Sequence, residues 1–219
     1  MPELILASSS PRRADLLSQI NLGFKVLVPE VSESVHKNEQ PADYVARVSR
    51  QKAESVAALL ERETGTLSTT RIILAADTIV AIDGDILGKP GGRSDAIAML
   101  QRLSAATHQV ITSVTVRCGN RVETALVETV VQFRAISLEE CSRYWLSGEP
   151  ADKAGAYGIQ GLGSIFIERL SGSYSNVVGL PLTETAVLLG GFGLECLPQE
   201  RRPQPTEEQN LDKDVVQNG

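Results

Sequence analysis

The chain has 219 residues, 42% of them hydrophobic and 22% charged, with a formal net charge of −6. That length can bury a sizeable core, and the composition excludes a mostly disordered chain. The acidic balance excludes broad nucleic-acid binding, so any basic site must be local and suited to a small anion.

The hydrophobic pattern alternates strands and helices from the start. Leu4–Ala7 reads as a strand and Pro11–Ile20 as a helix with Leu16, Leu17 and Ile20 on one face, capped by Ser10 with Pro11 in its first position. After Gly23, Phe24–Val28 is a second strand, followed by a polar loop over Pro29–Gln40. A long helix runs from Asp43 to about Arg62, with Val45, Val48, Val56 and Leu59 on one stripe. Gly65–Thr70 is a turn, and Arg71–Ile82 a strongly apolar strand. Asp83-Gly84 signals a hairpin into Asp85–Leu87. Ser94 caps a short helix carrying Ile97, Leu100 and Leu103, and the strands His108–Arg117 and Arg121–Phe133 flank the turn Gly119-Asn120. Ser137 and Glu140 make a capping box for a helix through Trp145, which Gly148 ends. A glycine-rich segment reaches Gly163, Ser164–Leu170 is a strand, and Leu182–Leu189 is the last helix. Hairpins mixed with crossover helices predict a mixed α/β sheet. The expected domain covers 1–197, and the proline-containing tail 198–219 is expected to be disordered.

Three cysteines, Cys118, Cys141 and Cys196, form neither a zinc spacing nor a disulfide framework. No signal-peptide layout and no apolar run of membrane-spanning length is present, so the expectation is a cytoplasmic protein without a membrane partner.

Several residues stand out chemically. Ser8-Ser9-Ser10-Pro11-Arg12-Arg13 follows the first strand and puts two arginines at the positive end of a helix, at a cost of about 0.3–1 kcal/mol each. A docked anion reverses that sign, because hydroxyls, free amides and guanidiniums converge on one phosphate-like group. A solvated basic turn is the alternative. Asp77 interrupts an apolar strand, where a carboxylate must be paired, hydrogen-bonded or metal-bound. Lys52 falls in the middle of an apolar helical stripe, either snorkelling to water or serving a site. Lys89, in Gly88-Lys89-Pro90, and Glu33, in the polar loop, complete a set of cations for a polyphosphate and carboxylates for metal or base chemistry. In the segment from Ser147 to Gly163 the glycines suit close backbone approach, and the Gln160 amide suits the edge of a nucleobase. On those residues alone, a glycine-rich turn between two strands with Gln160 bonded to backbone is the favoured reading.

Taken together, Ala7-Ser8-Ser9-Ser10-Pro11-Arg12-Arg13, Ala76-Asp77-Thr78-Ile79-Val80, Gly88-Lys89-Pro90 and Asp152-Lys153-Ala154-Gly155-Ala156-Tyr157-Gly158-Ile159-Gln160-Gly161 resemble the Maf family of nucleoside triphosphate pyrophosphatases. The resemblance runs in order from about Leu4 to Leu189. It implies an elongated, curved mixed sheet with two lobes around a cleft, like the inosine triphosphate pyrophosphatases, and a homodimer. It implies hydrolysis of a nucleoside triphosphate to the monophosphate and pyrophosphate, with Mg²⁺ or Mn²⁺ as cofactor. The Gln160 form of the last motif resembles the branch acting on dTTP and UTP, whereas the 7-methyl-GTP branch carries glutamate there. The family roles then fall on Asp77 as catalytic base, on Arg12, Thr78 and Gln160 for substrate selection, and on Ser8, Arg13, Lys52 and Lys89 at phosphates. Glu33 and Asp77 are the candidate metal ligands. A non-catalytic nucleotide-binding regulator of septum formation or cell division is the rival class. One departure is Ala105-Ala106, where the resemblance implies a glycine.

Overall fold

The computed structural model describes residues 2–65 and 69–197. Seven strands form one mixed sheet: β1 (Glu3–Ala7), β2 (Phe24–Leu27), β3 (Arg71–Ile82), β4 (Asp85–Leu87), β5 (Thr107–Cys118), β6 (Arg121–Phe133) and β7 (Ile167–Ser171). Their order is β2-β1-β3-β5-β6-β7, with β4 on the edge of β3. The β1 strand is parallel to β2 and β3, and every other pairing is antiparallel. The expected mixed α/β sheet is therefore present.

Helices α1 (Pro11–Ser18), α2 (Pro41–Thr64), α3 (Arg93–Leu103), α4 (Leu138–Leu146), α5 (Tyr174–Val178) and α6 (Leu182–Gly191) cover it. The period-2 alternation of β3 assigns its residues to opposite faces. Ile72, Leu74 and Ala76 pack with Leu16, Leu17, Val178 and Leu189 of α1, α5 and α6. Ile73 and Ala75 pack with Ala53, Val56 and Leu60 of α2. By this phase Asp77 faces α2 and Thr78 faces α1 and α5. A third cluster joins Leu100 and Leu103 of α3 to Phe133, Tyr144, Tyr157 and Phe166.

Strand register opens a gap. The β1 pairing ends at Ala7 opposite Ala75, and β4 begins only at Val80 opposite Leu87. Ala76–Ile79 of β3 thus has no strand on that side among the described residues. The gap lies at the carboxyl end of β1, where parallel strands commonly leave room for a ligand.

Local expectations differ from the structure in a few places. Ser10 is the N-cap of α1, but its hydroxyl makes no capping bond; its amide donates to Ser8 Oγ at 3.1 Å instead. The α3 helix starts at Arg93, so Ser94 lies inside it and the cap is Gly92. There the Asp95 carboxylate accepts from the Gly91 amide at 2.8 Å, closing the turn one position earlier. Leu59 is 40% exposed, and Leu60 takes its place in the α2 stripe. The expected strand at Ser164 begins as a 3₁₀ turn over Leu162–Phe166, and α5 was not foreseen. Both hairpins form; Asp83 and Gly84 carry the positive φ values, 53° and 83°, that a type I′ turn requires. Ala105 has φ 53°, a left-handed conformation that would suit the glycine the resemblance implies there. Positions 66–68 of the expected Gly65–Thr70 turn, and the tail 198–219, lie outside the described residues.

Candidate active site

A cavity of about 630 Å³ fills the gap beside β3, within the range of small-molecule sites. Its walls include Ser8, Arg12, Arg13, Glu33, Lys52, Asp77, Thr78, Lys89 and Gln160. All nine residues picked out in the sequence meet at this one place, although they are spread over some 150 positions of chain.

Asp77 is 6% exposed and Lys52 7%, and the Lys52 ammonium contacts Asp77 Oδ1 at 2.6 Å. The same ammonium meets Glu33 Oε1 at 2.6 Å. Lys52 therefore does not snorkel; it bridges two carboxylates, and its third proton is left for a ligand. Asp77 Oδ2 has no protein donor among the described residues and opens toward the cavity. Burial pushes the Asp77 carboxyl up from the ordinary aspartate value, against the attraction of Lys52 and Arg13. Burial also pushes Glu33 up, but there the bond and charge of Lys52, with Lys89 and Arg13 farther off, outweigh it and leave Glu33 below the ordinary value. One ammonium thus holds two carboxylates whose environments separate their proton affinities, the usual mark of divided acid–base roles.

The Glu33 loop is fastened to α2. Tyr44 donates its hydroxyl to the Glu33 carbonyl at 2.9 Å. Arg47 grips Glu39 through two charge-assisted bonds of 2.6 and 2.7 Å and donates to the Ser34 carbonyl at 3.0 Å.

On the opposite side of β3, Arg13 donates to the Gly179 carbonyl at 2.8 Å, to Thr78 Oγ1 at 3.2 Å and to Ser8 Oγ at 3.4 Å. It forms no ion pair among the described residues, and burial pushes its guanidinium down from the ordinary value. A half-buried cation held only by neutral acceptors is poised for an anion. Thr78 is committed to this scaffold, being also within 2.9 Å of Thr112 Oγ1. Arg12 instead pairs with Asp152 at 3.0 Å, and Lys153 holds the other oxygen of that carboxylate at 2.7 Å. Lys89 is exposed on the cavity wall without an ion pair among the described residues. Gln160 is exposed on the wall as well, and its amide bonds to no described residue, so the backbone-bonded alternative does not hold.

Among the described residues no group of three or more His, Cys, Asp or Glu side chains gathers to cage a metal. Glu33 and Asp77 do offer hard oxygen donors on the cavity, which fits a divalent ion held by one or two carboxylates together with substrate phosphates. No described helix is long and apolar enough to cross a membrane.

Sequence reasoning missed Asp152, Tyr44, Gly179 and Glu149. Asp152 stands in the motif that carries Gln160, so its charge within that motif was the available signal; Tyr44 and Gly179 act through backbone carbonyls and Glu149 through loop amides and the Tyr144 hydroxyl, contacts that leave no pattern.

The family described as Maf-like protein matches residues 3–192. The chain belongs to the Maf family. Among its Maf relatives, a Vibrio vulnificus protein is 47% identical over 192 residues, covering 88% of this chain and 100% of the relative. A Vibrio cholerae protein is 48% identical over 190 residues, covering 87% and 98%. A Methylobacillus flagellatus protein is 47% identical over 194 residues, covering 89% and 94%. All three are named dTTP/UTP pyrophosphatase. A solved structure, that of the Staphylococcus aureus Ham1 protein, aligns with TM-score 0.42 and 14% identity over 62% of this Maf chain and 72% of its own.

Proposed function

We propose that this chain is a nucleoside triphosphate pyrophosphatase that hydrolyses dTTP and UTP to the nucleoside monophosphate and pyrophosphate. The observation that carries the reading is Asp77, a buried carboxylate with one oxygen on Lys52 and the other open to a cavity ringed by cations. The shared name of the relatives supports both the reaction and the pyrimidine preference.

Asp77 is the general base. Its raised proton affinity makes it a stronger base than an exposed aspartate, and Lys52 fixes its orientation toward a water lying in line with the α–β phosphoanhydride. Arg13, Lys89 and the third proton of Lys52 take phosphate oxygens, with Ser8 and Thr78 holding Arg13 in place. Arg12 exchanges Asp152 for a substrate oxygen. The developing charge on the leaving pyrophosphate is met by these fixed cations rather than by solvent that must reorganise. A Mg²⁺ or Mn²⁺ ion held by Glu33 and the phosphates would supply further charge neutralisation when bound; Asp77 would join its ligands only in place of its role as base. Gln160 presents a donor and an acceptor to the O4 and N3–H edge that thymine and uracil share. An uncharged amide gives no special hold on a cationic 7-methylguanine. The same reading carries a cytoplasmic homodimer, which light scattering tests as a particle of twice the 23.5 kDa chain mass.

Product analysis by ³¹P NMR with dTTP tests the reaction class. The reading requires dTMP and pyrophosphate in equal amounts; dTDP and orthophosphate would contradict it, and tight binding without turnover would favour the regulator.

A further inference from the structure

Glycines in the Gln160 segment leave room for close approach, and the chain itself fills that room. A Cβ at Gly161 would overlap the Glu149 carboxylate. A Cβ at Gly163 would lie 2.6 Å from Tyr144 Oη, and one at Gly158 2.7 Å from Lys153 Cε. The Glu149 carboxylate sits inside the bend. Its Oε1 accepts from the Tyr144 hydroxyl at 2.7 Å and from the Gly163 amide at 3.1 Å, and its Oε2 accepts from the Leu162 amide at 2.8 Å. Tyr144 Oη in turn accepts from the Gly158 amide at 3.1 Å. Lys153 closes the start of the segment by donating to the Glu149 carbonyl at 2.7 Å.

The anchored amides at 158, 162 and 163 bracket Gln160. Tyr157 and Phe166 anchor the ends of this loop in the core and Ile159 packs beneath it, but from Gln160 to Gly163 the backbone is held chiefly by the charged acceptor at its centre. We propose that Glu149 is a positioning residue for base recognition, fixing Gln160 from behind the loop without touching substrate. The proposal rests on the reading of Gln160 as the residue that meets the pyrimidine. Sites that discriminate by hydrogen bonds need their groups held within about 0.5 Å, and a shifted Gln160 loses that discrimination while the phosphate site stays intact.

Glu149→Gln is the informative change. It keeps the size but replaces one acceptor oxygen with a donor that must face an N–H or O–H group. Steady-state kinetics with dTTP and CTP on wild type, E149Q, Q160A and the double variant provide the test. The KM for dTTP is expected to rise about tenfold in E149Q, with kcat within about threefold and the dTTP-over-CTP preference reduced about tenfold. In the Q160A background, E149Q should cost less than about twofold further, because both changes remove one interaction.

Unchanged preference in E149Q, a loss confined to kcat, or multiplicative effects in the double variant would each overturn the proposal. Should E149Q fail to fold, Gly161→Ala pushes on the same carboxylate from the other side and must give the same KM phenotype; wild-type preference there overturns the proposal too. An active wild type with an unaffected E149Q refutes this inference alone, whereas a wild type that releases no pyrophosphate from dTTP refutes the functional reading beneath it.

Discussion

Replacing Asp77 by Asn separates catalysis from stability. Asp77 is 6% exposed, and burial raises the proton affinity of its carboxylate despite the Lys52 ammonium at 2.6 Å, so the charge is held at the expense of the fold. An asparagine has the same shape and needs no ionic partner. Lys52 keeps Glu33 at 2.6 Å, so no cation is left unpaired by the change. The folding free energy should therefore stay within about 1 kcal/mol of wild type or improve, a Tm change of no more than about 2–4 °C for a chain this size. Turnover should fall by a factor of about 10²–10⁴, the usual contribution of a positioned base, with dTTP binding retained. The assays are pyrophosphate release, thermal denaturation and calorimetric titration with dTTP. Activity within tenfold of wild type would refute Asp77 as base. A large fall in Tm with proportionate loss of binding would instead make it a structural residue.

Three further changes probe separate features. Lys52→Met leaves Asp77 and Glu33 without their shared cation. The Asp77 carboxyl then moves further up, the acid limb of the pH–rate profile shifts to higher pH, and stability at pH 8 falls by about 3 kcal/mol. Because the folded proton affinity is raised, that loss is relieved as pH falls through it; urea titrations at pH 8 and 5 check the sign. His108, 2% exposed and bonded to Tyr157 Oη at 2.8 Å, is pushed down to about 4 by burial. Stability is then full above the unfolded histidine value near 6.5 and declines by up to about 3 kcal/mol as pH falls toward 4, a slope that His108→Gln should flatten in the same titrations. Ala105→Gly relieves the left-handed φ of 53° and should raise stability by about 1 kcal/mol without altering kinetics, as read by denaturant midpoints.

The parts legible in the sequence were those written as local exceptions to a pattern. A charge inside the apolar β3 run and another inside the α2 stripe each stood out in the sequence, but that Asp77 and Lys52 bond to one another came only from the structure. Hairpin turns and the Ser137 capping box were equally readable, because turn and cap chemistry is local. What the pattern could not give was the face on which each group lies. Asp77 and Thr78 are adjacent in sequence but point to opposite sides of the sheet, and only the early end of β1 lets one cavity reach both. The glycines at 158, 161 and 163 were legible as close approach, but not what approaches them, which the structure shows to be Glu149, Tyr144 and Lys153. Thr78 was expected among the substrate-selecting groups; its hydroxyl is bound to Arg13 and Thr112, a tie between distant elements that leaves no periodic trace.

The most direct test of the account is pyrophosphate release, with Mg²⁺, from dTTP, UTP, CTP and 7-methyl-GTP under identical conditions. The account predicts the highest kcat/KM for dTTP and UTP, with CTP and 7-methyl-GTP well below. Preference for 7-methyl-GTP, or release from none of the four, would contradict it.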